Sequence, residues 1–123
     1  MANNMPKFDK RPLPGDSIVW RNGGFTLTAR VEFDDVTEPG EFDGYSEEDI
    51  KRWEADEWCY VGIVVSAEYG GWLLDDTAAS LWGLECGLAD DSGDYLSDVA
   101  AELFAEALQV AKVKLRTITN TEE

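Results

Sequence analysis

Apolar residues recur at helical spacing near the C-terminus of this 123-residue chain, between Gly93 and Arg116. At about 100° per residue, one broad arc is apolar and the opposite arc is mostly charged. The apolar arc comprises Leu96, Val99, Ala100, Leu103, Phe104, Ala107, Val110 and Ala111. The pattern predicts a long amphipathic helix whose apolar arc packs on another layer of the fold.

A period of two residues marks the stretch from Phe25 to Phe33. This alternation is typical of a strand with one face in the core and one in water. The predicted core face carries Phe25, Leu27, Ala29, Val31 and Phe33. Ser17 to Arg21 predicts a shorter strand before it, and the intervening Asn22-Gly23-Gly24 is a strong turn signal, so the two form a hairpin.

The middle of the chain adds further strands and a short helix. Trp58 to Ala67 is apolar at nearly every position, as expected for a strand covered on both faces or lying centrally in the sheet. Trp72 to Leu74 and Ala79 to Cys86 predict one more strand or a pair, interrupted at Asp75-Asp76-Thr77. Ser46 is the predicted N-cap of a helix that ends near Glu57, with Asp49 as the acidic partner of a capping box.

The predicted order, β-β-α-β-β(-β)-α, lacks the regular alternation of a parallel doubly wound sheet. We therefore predict an α+β fold: an antiparallel sheet of four or five strands, one short helix, and a long C-terminal helix packed on one face. That face is the one marked by Phe25, Leu27, Val31 and Phe33. Residues 1–16 are predicted to be a flexible N-terminal arm, 17–116 a single acidic α+β domain, and 117–123 a C-terminal tail.

Charge is the most unusual feature of the composition. The formal net charge is −16. Residues 31–109 hold 22 Asp and Glu against only Lys51 and Arg52, a net charge of −20, whereas both flanking segments are slightly basic. Such a body repels nucleic acid and anionic membranes and attracts basic surfaces.

With no apolar span and no apolar leader, we expect a cytoplasmic protein.

The residue types needed for common catalytic chemistry are missing. The chain has no histidine, the usual general base and the commonest metal ligand. Asp90 to Asp94 has the oxygen density of a calcium loop, but Tyr95 stands where that loop needs glycine. Cys59 and Cys86 lack metal-site spacing and are interpreted as buried thiols, with a disulfide left open. We predict no enzyme activity, no metal and no cofactor.

Acidic residues also follow the polar arc of the long helix at successive i,i+4 steps. Like charges at this spacing cost about 0.2–0.5 kcal/mol per pair, and the helix dipole compensates only within the first turn. Helix stability alone therefore does not account for them. Together with a second acidic set on the short helix, they form the candidate partner-binding surface: Glu47, Glu48, Glu54, Asp56, Asp94, Asp98, Glu102 and Glu106.

One segment supports a family resemblance. Ser80-Leu81-Trp82-Gly83-Leu84-Glu85, followed by Asp94-Tyr95-Leu96-Ser97-Asp98-Val99 and the helix beyond, resembles small acidic proteins carried by phages and plasmids. The resemblance covers roughly residues 57–107 and brings no catalytic residue with it. It implies a mobile-element context, in which the cytoplasm would be that of a host cell.

Two functions are compatible with these observations. The first is an acidic interaction protein that acts as a DNA mimic, of the anti-restriction or anti-CRISPR type, on the basic surface of a nucleic-acid-binding protein. The alternative is a non-enzymatic accessory or assembly protein that binds its partner through aromatic residues. Direct binding of nucleic acid or membrane is not expected, and a homodimer is left open. Ordinary solvation of the acidic faces and adaptation to high salt are the competing explanations.

Overall fold

A computed structural model describes residues 5–88 and 92–120. The strands are β1 (Ser17–Asn22), β2 (Phe25–Phe33), β3 (Cys59–Tyr69) and β4 (Trp72–Cys86), and the helices are α1 (Glu47–Glu54) and α2 (Ser92–Asn120), with a short 3-10 turn at Pro39–Glu41. The strands form one antiparallel sheet in the order β1-β2-β3-β4. The predicted α+β fold is confirmed, with four strands.

Helix α2 packs across one face of the sheet and closes the main core. From the helix, Leu96, Ala100, Phe104, Ala107 and Ala111 are fully buried. They meet the inward side chains of the sheet, listed here from β2 and β3: Leu27, Ala29, Val31, Val61, Ile63, Val65 and Ala67. The predicted arc of α2 is therefore the buried one. The helix continues past Arg116 to Asn120.

Phe33 departs from the predicted core face. The other four residues of the predicted core face of β2 are buried, but Phe33 itself is 57% exposed. Helix α2 packs mainly over β3 and β4 and reaches β2 less. Phe33 lies outside the main core and lines concavities with Trp58 and Trp82.

Strand β3 is the centre of the fold. Residues 60–67 are all buried, which confirms the prediction of a strand covered on both faces. Its partner β4 is a single long strand whose register shifts opposite Ala67. The predicted interruption at Asp75-Asp76-Thr77 is present as this irregularity, where the Asp75 carboxylate accepts a hydrogen bond from the Thr77 N–H at 3.0 Å.

Residues 5–16 contain no helix or strand and lie against the start of α2. Phe8 is buried in the main core, and its N–H donates to the Ser97 hydroxyl at 2.8 Å. The Gly93 N–H donates to the Lys10 carbonyl at 3.0 Å. A Cβ on Gly93 would collide with the backbone of Asp9, so glycine is required for this close approach.

The loop after β2 and α1 lie on the opposite side of the sheet, near one end, beside Trp58 and Tyr60. Trp58 and Tyr60 lie on this face with ring centroids 5.2 Å apart, and Tyr45 stacks on Trp58 at 5.5 Å. The Trp58 indole N–H donates to the Asp49 carbonyl of α1 at 2.9 Å. Ser46 caps α1 as predicted, accepting from the Asp49 N–H at 3.0 Å, but the helix ends at Glu54.

Candidate functional site

The carboxylates of the long helix form a continuous exposed row. Asp94, Asp98, Glu102 and Glu106 are all exposed on the outer side of α2, as helical periodicity predicts. At 1.5 Å rise per residue, successive members are about 6 Å apart along the helix axis. We call these four residues the α2 acidic row.

No lysine or arginine among the residues that the structure describes forms an ion pair with the α2 acidic row. Within residues 5–88 and 92–120, the ion pairs join Arg30 to Glu32, Arg52 to Glu57 and Lys114 to Asp75. The Lys114 ammonium is 2.9 Å from the Asp75 carboxylate and, with the Thr77 N–H, lowers the pKa of that carboxyl. The row itself is therefore available to an external basic group.

The other four predicted residues are exposed on or just after α1. Glu47 and Glu48 lie in its first turn, Glu54 ends it, and Asp56 follows with a positive φ of 63°. Because α1 is attached through Trp58, on the side of the sheet opposite to α2, the eight carboxylates do not form one flat surface. They form two sets, which we call the α2 acidic row and the α1 acidic set.

The two sets approach each other at one end of the domain. Asp56, at the end of the α1 acidic set, and Ser92, the first residue of α2, line the same cavity of about 400 Å³. The N-terminal segment around Pro12, together with Cys59 and Cys86 at the ends of β3 and β4, completes the wall. Arg11 and Arg52 line this cavity as well, so both charge signs are present at this end of the sheet.

A buried carboxylate that sequence reasoning missed lies beneath the loop after β2. Asp34 is buried and accepts hydrogen bonds from the Val36 and Thr37 N–H groups at 3.0 Å, the Thr37 hydroxyl at 2.7 Å and the Gly83 N–H at 3.0 Å. Burial raises the pKa of Asp34, but these hydrogen bonds outweigh burial, so the pKa lies below its ordinary value. Asp34 therefore ties the loop to β4 as a carboxylate. An Asp-x-x-Thr turn signal could have indicated the local part of this arrangement.

A second polar network joins the same loop to the sheet. The Tyr45 hydroxyl donates to the Glu85 carboxylate, and the Tyr60 hydroxyl donates to Tyr45 at 2.9 Å. Burial and the bond to Glu85 raise the pKa of Tyr45 far above its ordinary value, and burial also raises that of Tyr60. Both phenols are therefore protonated at neutral pH, and the network stabilises the loop.

The Ser-Leu-Trp-Gly segment has a structural explanation in β4. Trp82 lies over Gly62 of β3, where any Cβ would collide with the indole ring. Gly83 has a φ of +76° and donates its N–H to Asp34, a conformation that favours glycine. The segment therefore shapes this face of the sheet and anchors the loop.

The two exposed tryptophans, Trp72 and Trp82, lie in separate patches. Trp82 is 45% exposed and, with Phe33 and Val36, lines an apolar concavity of about 430 Å³. Trp72 is 77% exposed beside the exposed Leu73, at the turn between β3 and β4. Trp58, by contrast, is buried in the interior.

The described residues contain no cluster of three or more metal-ligating side chains. Asp90 and Asp91 of the calcium-like segment lie outside the described residues. Among the helices in the described ranges, none has the length and apolarity required to cross a bilayer. Protein-family models, curated proteins and solved structures yield no match to this chain.

Proposed function

We propose that this chain is a non-enzymatic, acidic interaction protein that binds the basic surface of a nucleic-acid-binding protein in competition with nucleic acid. The observation that carries the proposal is the α2 acidic row: four exposed carboxylates without a described cation partner, held in line on one helix. The phage and plasmid resemblance is consistent with an inhibitor of the anti-restriction or anti-CRISPR type, acting in the cytoplasm of a host cell.

The packing of α2 favours this function because it holds the row rigid. The apolar arc of the helix is packed on the sheet from Leu96 to Ala111, so the opposite arc is presented there without a further ordering step. Arg and Lys side chains that bind phosphate also bind carboxylate, through charge-assisted hydrogen bonds. A partner that binds a nucleic-acid backbone therefore has the Arg and Lys hydrogen-bond donors that can bind the carboxylates of the row.

The α1 acidic set extends the proposed surface around the end of the sheet. Asp56 is the member nearest to the start of α2, since both line the same cavity. A partner seated along the row would approach the α1 acidic set only at this corner. We therefore assign the main contact to the α2 acidic row and an auxiliary, mainly long-range electrostatic contribution to the α1 acidic set.

Competition with nucleic acid tests the proposal. The immobilised protein is used to capture proteins from a nuclease-treated lysate of the source cell, and each captured protein is purified and titrated with a duplex oligonucleotide. We expect the duplex to displace the captured protein, and binding to weaken as salt is raised. A partner that binds this chain and duplex DNA at the same time would contradict the proposal, as would capture of no DNA-binding protein.

The exposed aromatic patch favours a second function, that of an accessory or assembly protein. Phe33, Val36 and Trp82 expose large apolar side chains around one concavity, and apolar patches of this kind are common at protein interfaces. In that case Trp82→Ala abolishes partner binding, and neutralising the α2 acidic row does not. Trp72→Ala, in the separate patch, is the matched control.

A further inference from the structure

The two cysteines, 27 positions apart in sequence, are direct partners across the sheet. Cys59 is the first residue of β3 and Cys86 is the last residue of β4, and the antiparallel register pairs them. Both are free thiols, and both line the same cavity at this end of the sheet. No spacing motif indicates such a pair, because the register of the two strands creates it.

The pair needs little movement to form a bond. Directly opposed residues on antiparallel strands have Cβ atoms about 4.5–5.5 Å apart, and a disulfide holds them at about 3.5–4.5 Å. A closure of about 1 Å is therefore enough. Because the pair ends the β3–β4 ladder, the backbone on its outer side is not held by a further strand pair.

The two thiols differ in a way suited to stepwise oxidation. Cys59 is partly exposed, whereas Cys86 is buried, and both line the 400 Å³ cavity. The neighbouring Cys86 lowers the pKa of Cys59 below its ordinary value, whereas the neighbouring Cys59 and burial raise the pKa of Cys86. The accessible sulfur is therefore the better nucleophile, since the thiolate is the reactive form.

We propose that Cys59 and Cys86 form a reversible dithiol–disulfide site whose oxidant is a low-molecular-weight disulfide. The Cys59 thiolate attacks one sulfur of that disulfide, forming a mixed disulfide and releasing one small thiolate. Cys86 then loses its proton and attacks the Cys59 sulfur, releasing the second small thiol. Two protein thiols and one small disulfide become one protein disulfide and two small thiols.

Oxidation also changes the attachment of the N-terminal segment. The Cys86 thiol donates a hydrogen bond to the Pro12 carbonyl oxygen at 3.2 Å. A disulfide sulfur has no proton to donate, so the oxidised site loses this contact with the segment that crosses the start of α2. The redox state of the pair is therefore coupled to the end of the domain where α2 begins.

The test uses the full reduced chain in buffers of increasing bis(2-hydroxyethyl) disulfide and decreasing 2-mercaptoethanol. After acid quenching, free thiols are titrated and the intact mass is measured. We expect both thiols to disappear in a single transition, with the loss of two hydrogens and no adduct. A digest without reduction should contain the linked Cys59 and Cys86 peptides.

Two single variants act as matched controls. Cys86→Ser leaves Cys59 without a resolving thiol, and we expect one mercaptoethanol adduct to accumulate. Cys59→Ser leaves only the buried Cys86, and we expect an adduct to form more slowly. The wild-type measurement decides the matter even if a variant does not fold. Two adducts per chain, disulfide-linked dimers, or two thiols that stay free where the denatured chain is oxidised would overturn the proposal.

Discussion

The two faces of the sheet are held by different forces. On the α2 face, apolar side chains of the helix and strands interlock, and Phe104 contacts Trp20 with ring centroids 5.7 Å apart. On the opposite face, the loop after β2 and α1 are attached through side-chain hydrogen bonds to Asp34, Tyr45 and the indole of Trp58. One face is a continuous core, whereas the other is a small number of specific polar and aromatic contacts.

This difference determines how each face responds to substitution. Loss of apolar volume from the core removes transfer free energy and leaves a cavity. Loss of one polar group from the other face leaves several partly buried partners without their hydrogen bonds. The α2 acidic row therefore belongs to the helix that closes the continuous core. The α1 acidic set belongs to the side that depends on a few hydrogen bonds.

The largest effect is expected for Phe104→Ala. The side chain is fully buried between α2 and the sheet, so its removal should lower the free energy of unfolding by about 3–5 kcal/mol. Urea denaturation measures the change. Val113→Ala, at an exposed position of the same helix, is the control and should change stability by less than about 0.5 kcal/mol. Equal effects of both substitutions would show that α2 does not close the main core.

A smaller effect is expected for Asp34→Ala on the opposite face. The carboxylate accepts four hydrogen bonds, and its loss leaves the donors of Val36, Thr37 and Gly83 unpaired, at a cost of about 2–3 kcal/mol. Asp35→Ala, at the exposed neighbouring position, should change stability by less than about 0.5 kcal/mol. Similar denaturation curves for the two variants would exclude the role assigned to Asp34.

The pH dependence provides an independent check on Asp34. Its folded pKa lies below the ordinary value of 3.8, so its contribution to stability is present above that value and is lost as the pH falls through the folded pKa. We expect the wild type to lose stability more steeply than Asp34→Ala as the pH is lowered below about 4. Parallel pH profiles of the two proteins would contradict this assignment.

The smallest of the three effects is expected for Tyr45→Phe. The substitution keeps the ring but removes the hydroxyl that Glu85 and Tyr60 share, which should cost about 1–2 kcal/mol. Tyr69→Phe is the control, because its hydroxyl has no hydrogen bond to the described residues. If thermal denaturation places both variants at the same midpoint, the Tyr45 network does not stabilise the loop.

The contrast between the faces also explains what the sequence predicts. Periodicity identified α2, β2 and the exposed position of the α2 acidic row, because each depends on local spacing. The Asp34–Gly83 and Tyr45–Glu85 contacts join residues 49 and 40 positions apart and leave no periodic signal. Phe33 obeys the alternation of β2 yet is exposed and lies outside the main core.

The amino-acid sequence also does not predict that the two acidic sets lie on different sides of the sheet. Helical spacing indicates which carboxylates of α1 and α2 point outward, but not which sheet face each helix covers. The ring contacts of Trp58 and the bond of its indole to Asp49 decide that question for α1. The cysteine pair is a further example, because it follows from the register of β3 and β4.

The most direct test of the proposed function compares two variants with the same change in net charge. The first carries Asp94→Asn, Asp98→Asn, Glu102→Gln and Glu106→Gln, and the second carries Glu47→Gln, Glu48→Gln, Glu54→Gln and Asp56→Asn. Affinity for the DNA-displaceable partner is measured at one fixed salt concentration. We predict that the first variant loses more than about tenfold in affinity, or about 1.4 kcal/mol, and the second less than about threefold. Equal losses in the two variants, or an unchanged affinity in the first, would contradict the assignment of binding to the α2 acidic row.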